Sequence, residues 1–277
     1  MRRIIDAHCH IYPDDIAPKA VAAVDRFYGG LPAVPLDGTV AGLRRAGAEA
    51  GISRFVVCSV ATSPHQVPGI NAFIARTARE SGGAFIGLGT LHPDSDDLRG
   101  DFEALAALGL KGVKLHPDIQ GFYADDPRAL EIYGMCSDAG LPVCLHAGDR
   151  RFDYSNPRRL AGILRVFPRL KLIAAHLGGW SVWDEAAQLL PVYPNLTVDT
   201  SSSFHWLAPA RALEILRAYG SRRVMFGTDY PMWPPQPELG TLMRLELTDE
   251  EREDILWRTC AGLFGLSFDA QESPPHD

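Results

Sequence analysis

The sequence predicts an α/β fold, a (β/α)₈ TIM barrel, in one domain spanning residues 1–266. Three observations carry that prediction. Eight short β-rich runs alternate with amphipathic stretches of helical spacing along the 277 residues, the pattern of parallel strands joined by helical crossovers. Most of the runs end in polar residues, as barrel strands do at the rim where active sites form. No low-complexity segment or linker divides the chain.

In order, the strand runs are RIIDAHC (from Arg3), RFVVCSV (Arg54), AFIGLGT (Ala84), KGVKLH (Lys111), LPVCLH (Leu141), KLIAAH (Lys171), LTVDTS (Leu196) and RVMFGT (Arg223). Helical periodicity covers 39–51, ending on Gly51 as a C-cap, and 70–83, ending on two glycines. Asp126 with Pro127 marks a helix N-terminus, and Asn156 with Pro157 repeats the design. Two more helical stretches cover 208–220 and 247–265. Residues 25–38 read as a loop inserted after the first strand, and 267–277 as a disordered tail.

Composition excludes some functions. The net charge of −7 is opposite to a nucleic-acid footprint. No apolar run reaches the length of a membrane span. Five cysteines, without CxxC spacing, read as reduced thiols. Cys58 and Cys144 sit in apolar runs as small core residues. The chain opens without the pattern of a signal peptide. A cytoplasmic protein with a small-molecule substrate is expected, without nucleic-acid or membrane partners.

The strand ends collect the chemistry. The first strand ends with His8 and His10, the fourth with Lys114 and His116, the fifth with His146, the sixth with His176 and the eighth with Asp229. Strict alternation puts Asp6, His8 and His10 on one face and Ala7 and Cys9 on the other. It also puts Lys114 and His116 inward, with Val113 and Leu115 against the helices. A lysine inside a barrel must be paired or chemically used. Taken singly, each histidine is as well read as a hydrogen-bonded strand-end residue, and Asp229 as a helix cap. Four histidines and an aspartate at four strand ends point to a divalent metal. Zn²⁺ is the expectation for an open catalytic site, with Mn²⁺ and Fe²⁺ as alternatives.

The set DAHCH, LHAGD, AHLGG and FGTDYP resembles the amidohydrolase superfamily, in particular the branch that includes aminocarboxymuconate semialdehyde decarboxylase and several lactonases. The resemblance runs from Ile4 to about Phe264. It implies that His8, His10, His146 and Asp229 bind the metal, and that Asp229 takes a proton from bound water. His176 would polarise the substrate or act as acid and base. In binuclear members the histidine at that position binds a second ion, and a carboxylated lysine at the position of Lys114 bridges the two. Otherwise Lys114 pairs with Asp229 or with a substrate anion. One or two ions per chain are therefore expected.

The reaction so implied is hydrolysis of an amide, ester or lactone in a small carboxylate-bearing molecule. A metal ion lowers the pKa of bound water from about 15.7 to about 7 and supplies the hydroxide. The alternative is nonoxidative decarboxylation of an aromatic or unsaturated acid, for which the same ligands serve. Around the site, Arg150 or Arg151 could hold a substrate carboxylate, and Trp180 and His116 could line the pocket, with Trp183, Trp206 and Trp233 as further wall candidates. Ser201 to Ser203 could supply hydrogen bonds. Asp6 is the candidate to orient the strand-1 imidazoles. A homodimer is expected on fold analogy.

Overall fold

The computed structural model describes residues 3–30 and 35–267. Its strands are β1 (Ile5–His10), β2 (Arg54–Cys58), β3 (Phe85–Gly87), β4 (Gly89–Thr90), β5 (Val113–Leu115), β6 (Val143–Leu145), β7 (Leu172–Ala174), β8 (Leu196–Asp199) and β9 (Val224–Met225). All neighbouring pairs are parallel. β3 and β4 are two halves of one barrel strand, broken at Leu88: the first pairs with β2 and the second with β5. The circle closes between β1 and the chain after β9, where Ala7 N donates to Phe226 O at 2.8 Å and Asp229 N to His8 O at 2.9 Å. Each of the eight predicted runs therefore holds one strand of a (β/α)₈ barrel.

Outward strand residues such as Val57, Val113, Leu115, Leu145, Leu172 and Val198 pack beneath the helices. Inward residues, among them Ile5, Ala7, Cys58, Ile86, Cys144, Ile173 and Met225, fill the barrel, and Cys260 and Ala261 close its floor. Among the described residues, no helix is long and apolar enough to cross a membrane.

Three helices shape the site's surroundings: α1 (Ala17–Phe27), α2 (Val40–Ala50) and α3 (Val67–Glu80). α2 begins on Thr39, whose side chain accepts from Gly42 N, and ends on Gly51 in the left-handed region, as its sequence predicts. Asp126 caps its helix through Arg128 N. Asn156 does not cap: its side chain instead accepts from Asp149 N at 3.1 Å and ties down the loop after β6.

α1 corrects the start of the sequence reading, which took 25–38 as loop: the helix runs to Phe27, and residues 28–30 and 35–38 are turn and loop. The helix is amphipathic, but its apolar stripe is not turned to the core: only Ala17 is fully buried. Residues 31–34 of that segment lie outside the described residues, as does the predicted tail from residue 268 on. The structure also adds helices at Leu98–Ala107, Trp183–Leu189 and Pro235–Arg244.

Candidate metal centre and its cavity

β1 does not alternate strictly. Its register against β2 shifts between Asp6 and Cys9. Before the shift Ile5 and Ala7 point into the barrel; after it Cys9 points out to the helices. A bulge of this kind re-aims side chains. It brings His8 and His10 inward together, with their Nε2 atoms 3.2 Å apart. Asp6 does not share their face. Its carboxylate accepts from Thr228 N at 3.0 Å and Thr228 Oγ1 at 2.6 Å, linking β1 to the loop after β9.

That loop presents Asp229, whose Oδ1 lies 3.6 Å from His8 Nε2 and 3.5 Å from His10 Nε2. Ligand atoms bound about 2.1 Å from one ion stand roughly 3–3.5 Å from each other. The trio has that spacing. Asp229 and His176 both hold left-handed backbone, at φ 65° and 59°. Non-glycine residues accept that strain mainly where surrounding structure fixes them, and such positions cluster at functional sites.

The orienting carboxylate is Asp199 at the end of β8, in place of the expected Asp6. His8 Nδ1 donates to Asp199 Oδ2 at 2.9 Å, which leaves Nε2 as a lone pair facing His10 and Asp229. The fully buried Lys114 makes the same point: its Nζ lies 3.1 Å from His8 Nε2, with Cys144 Sγ at 3.8 Å. These are its polar contacts, and Asp229 is not one of them. Ser201 Oγ reaches Asp199, His8 Nδ1 at 3.0 Å and His176 Nδ1 at 2.8 Å. Ser202 Oγ donates to Asp229 Oδ2 at 2.6 Å.

His146 and His176 meet through Nδ1 and Nε2 at 3.0 Å. His146 Nε2 faces Gly148 O at 3.1 Å, and His176 Nδ1 faces Ser201 O at 3.2 Å. A carbonyl oxygen only accepts, so both outer nitrogens carry the hydrogen. In neutral rings the two facing nitrogens are then both lone pairs. Burial keeps the rings neutral: it pushes His146 well below its usual range and His176 down to about 4. It lowers His10 as well. At Asp229 burial pulls upward, but its surroundings, the His8, His176 and His10 rings and the donating Ser202 hydroxyl, outweigh it and hold the carboxyl well below its usual range. Neutral imidazoles and an ionised carboxylate are the protonation states a divalent ion requires, so these residues fit a metal centre.

His116 stacks on His146, with ring centroids 3.8 Å apart and planes within 7°. Its Nδ1 accepts from Ile119 N, and its Nε2 lies 3.0 Å from Tyr28 Oη. Tyr28, at the end of α1, and the buried Asp118, 3.9 Å from His146 Nε2, join the cluster without having been singled out in the sequence.

The two arginines do not reach the cavity. Arg150 is exposed, and its backbone N donates to Ser181 Oγ. Arg151 is committed elsewhere: Nη2 donates to the buried Asp149 at 2.7 Å and Nη1 to Phe27 O at 2.7 Å. Trp180 and Trp233 line a recess with Tyr28, His146, His176 and Asp229. Trp183 instead donates to His176 O, and Trp206 is exposed.

His10, Lys114, His116, His146, His176 and Asp229 form the polar end of a cavity of about 660 Å³, which Lys19, Ser59, Thr62 and Gln66 also line. The rest of its wall is mostly hydrocarbon from α1 and α3.

Comparison with known proteins agrees with this architecture. Residues 5–266 match the amidohydrolase family model. A 2-amino-3-carboxymuconate-6-semialdehyde decarboxylase of Dictyostelium discoideum is 25% identical over 240 residues, covering 71% of this chain and 66% of that protein. The match thus spans just under two thirds of that relative's length. An uncharacterised TIM-barrel protein of Bordetella bronchiseptica superposes with a TM-score of 0.81 at 22% identity, over 95% of this chain and 98% of its own. A 5-carboxyvanillate decarboxylase of Novosphingobium aromaticivorans, in complex with manganese and 4-hydroxy-3-methoxy-5-nitrobenzoic acid, gives 0.75 at 16% identity, over 96% of each chain. At these identities the two structures show the shared fold.

Proposed function

Because this chain belongs to the amidohydrolase family, we propose that it is a metal-dependent, nonoxidative decarboxylase of an aromatic or unsaturated carboxylic acid. The observation that carries the choice is the 240-residue match to a decarboxylase. It displaces hydrolysis, which the motif set put first, in favour of the alternative. The cavity supports the same choice. Walls of hydrocarbon disfavour a localised carboxylate charge, and decarboxylation removes one.

His8, His10, His146 and Asp229 would hold the ion, with His176 and Lys114 beside them. When bound, a divalent ion, Zn²⁺ or Mn²⁺, supplies positive charge that holds the acid's oxygens. Asp229, ionised at rest, is the acid–base group: it takes up a proton from solvent and passes it to the substrate carbon as that carbon's bond to the carboxyl carbon breaks and its electron pair goes to the new C–H bond. The carboxylate leaves as CO₂, and no water is consumed. Ser202 fixes the Asp229 carboxylate, and Asp199 fixes the His8 ring. His176 completes the wall facing the reacting carbon. On fold analogy the working unit is a homodimer, and the free thiols suit a cytoplasmic setting.

The test is CO₂ release by metal-loaded protein across a panel of dihydroxybenzoates, 5-carboxyvanillate and unsaturated dicarboxylic acids. The proposal expects release from at least one acid, abolished by chelation. Silence across the acids together with turnover of a lactone or amide panel would return the assignment to hydrolysis.

A further inference from the structure

The cavity is longer and more apolar than a metal centre acting on a single-ring acid requires. Ile16, Lys19, Ala20, Ala23, Val24 and Phe27 all line it. Their spacing of i, i+3, i+4, i+7, i+8 and i+11 places them on one face of α1. From Phe27 to Ile16 that face runs about 16 Å. The same spacing recurs on the second helical wall, where Gln66, Gly69, Ile70 and Phe73 line the cavity at the start of α3.

An amphipathic helix ordinarily turns its apolar stripe to the core. α1 buries only Ala17 fully and turns the stripe to the cavity, leaving Ile16 49% exposed. The inner end of the stripe adjoins the histidine cluster, where the Phe27 ring meets the His116 ring edge-on at 6.2 Å. At Gly69 a side chain would meet nothing within 4 Å, so the groove is open there.

We propose that the substrate carries an apolar extension, an alkyl or aryl chain, that lies along the α1 and α3 stripes while its carboxylate end sits at the histidine cluster. This rests on the reading of that cluster as the reactive end. Lys19 is the cation on the α1 stripe, and among the described residues it has no ion-pair partner. An extension ending near Ile16 therefore meets a mixed apolar and cationic mouth.

The experiment is a titration of Mn²⁺-loaded full-length protein with benzoate and its 4-ethyl, 4-butyl and 4-hexyl derivatives, read by calorimetry. Affinity should rise about threefold to fourfold per methylene buried. Gly69→Leu fills the open part of the groove at a position without backbone strain. Its long-chain affinities should fall toward that of benzoate, and Ala20→Phe should do the same, each variant being checked for a normal unfolding transition. A flat series in the unaltered protein overturns the proposal. So does an undiminished rise in both variants. Chain-length-dependent binding without CO₂ release from any acid would reject the decarboxylase reading and keep this one. Decarboxylation of short acids with a flat series would do the reverse.

Discussion

His146 Nδ1 and His176 Nε2 face each other at 3.0 Å, while the outer nitrogen of each ring faces a carbonyl oxygen. Two buried lone pairs in that position need a cation or a proton between them, and burial opposes the proton. Metal binding should therefore stabilise the fold. Saturation at about a hundred times the dissociation constant contributes about 2.7 kcal/mol. Calorimetric unfolding with and without chelator should show the transition move up when Zn²⁺ or Mn²⁺ is restored. In His176→Ala that upward shift should shrink.

Asp199 governs the affinity from behind His8. Asp199→Asn removes the carboxylate that accepts from His8 Nδ1 at 2.9 Å. Loss of such an outer partner weakens metal binding by about 10–100-fold. Competition with a chromophoric chelator measures it. An unchanged affinity would mean that Asp199 serves the strand rather than the centre.

The barrel was readable because its strands are short apolar runs and most are followed by a stretch of helical spacing, even though the helices at Leu98–Ala107, Trp183–Leu189 and Pro235–Arg244 went unread. The rim histidines were readable because strand ends are fixed by those runs. What alternation could not supply was the bulge in β1. It turned Asp6 away from the imidazoles and toward Thr228, while the aspartate in LTVDTS took the orienting role. Asp199 lay in plain sight two residues before Ser201, but its partner is 191 positions away, a distance no local pattern spans. α1 went unread although its apolar positions recur at helical spacing from Ile16 to Phe27.

Arg151 was a candidate for the substrate carboxylate, and its contacts give it another task. It pairs with the buried Asp149 and holds the Phe27 carbonyl at the end of α1. Arg151→Ala leaves Asp149 without its cation, so stability should fall by about 1–3 kcal/mol. Denaturant titration checks this. A normal unfolding midpoint with a large loss of substrate affinity would restore the substrate role.

Glu238 is buried, and among the described residues its Oε2 has no hydrogen-bond partner. Burial, followed by the charges of Asp6 and Asp229, raises its pKa from 4.5 to about 8. Between those two values the native chain keeps a proton that the unfolded chain has released. Stability therefore falls as pH rises through that window and levels off above it. Glu238→Gln cannot lose a proton. It should unfold much like the parent at pH 5 and be more stable at pH 9, by up to about 4 kcal/mol. Melting curves at the two pH values decide; an equal difference at both would show that Glu238 does not titrate in this range.

The most direct test of the central claim is the fate of the solvent proton. Metal-loaded protein is incubated in D₂O with the acid that the panel identifies, and the product is read by NMR and mass spectrometry. Decarboxylation with Asp229 as proton carrier predicts one deuterium on the carbon that bore the carboxylate, one CO₂ released, and a rate in Asp229→Asn lower by about 10²–10⁴-fold. A product that retains its carboxylate and takes up solvent oxygen at a cleaved amide or ester would contradict it.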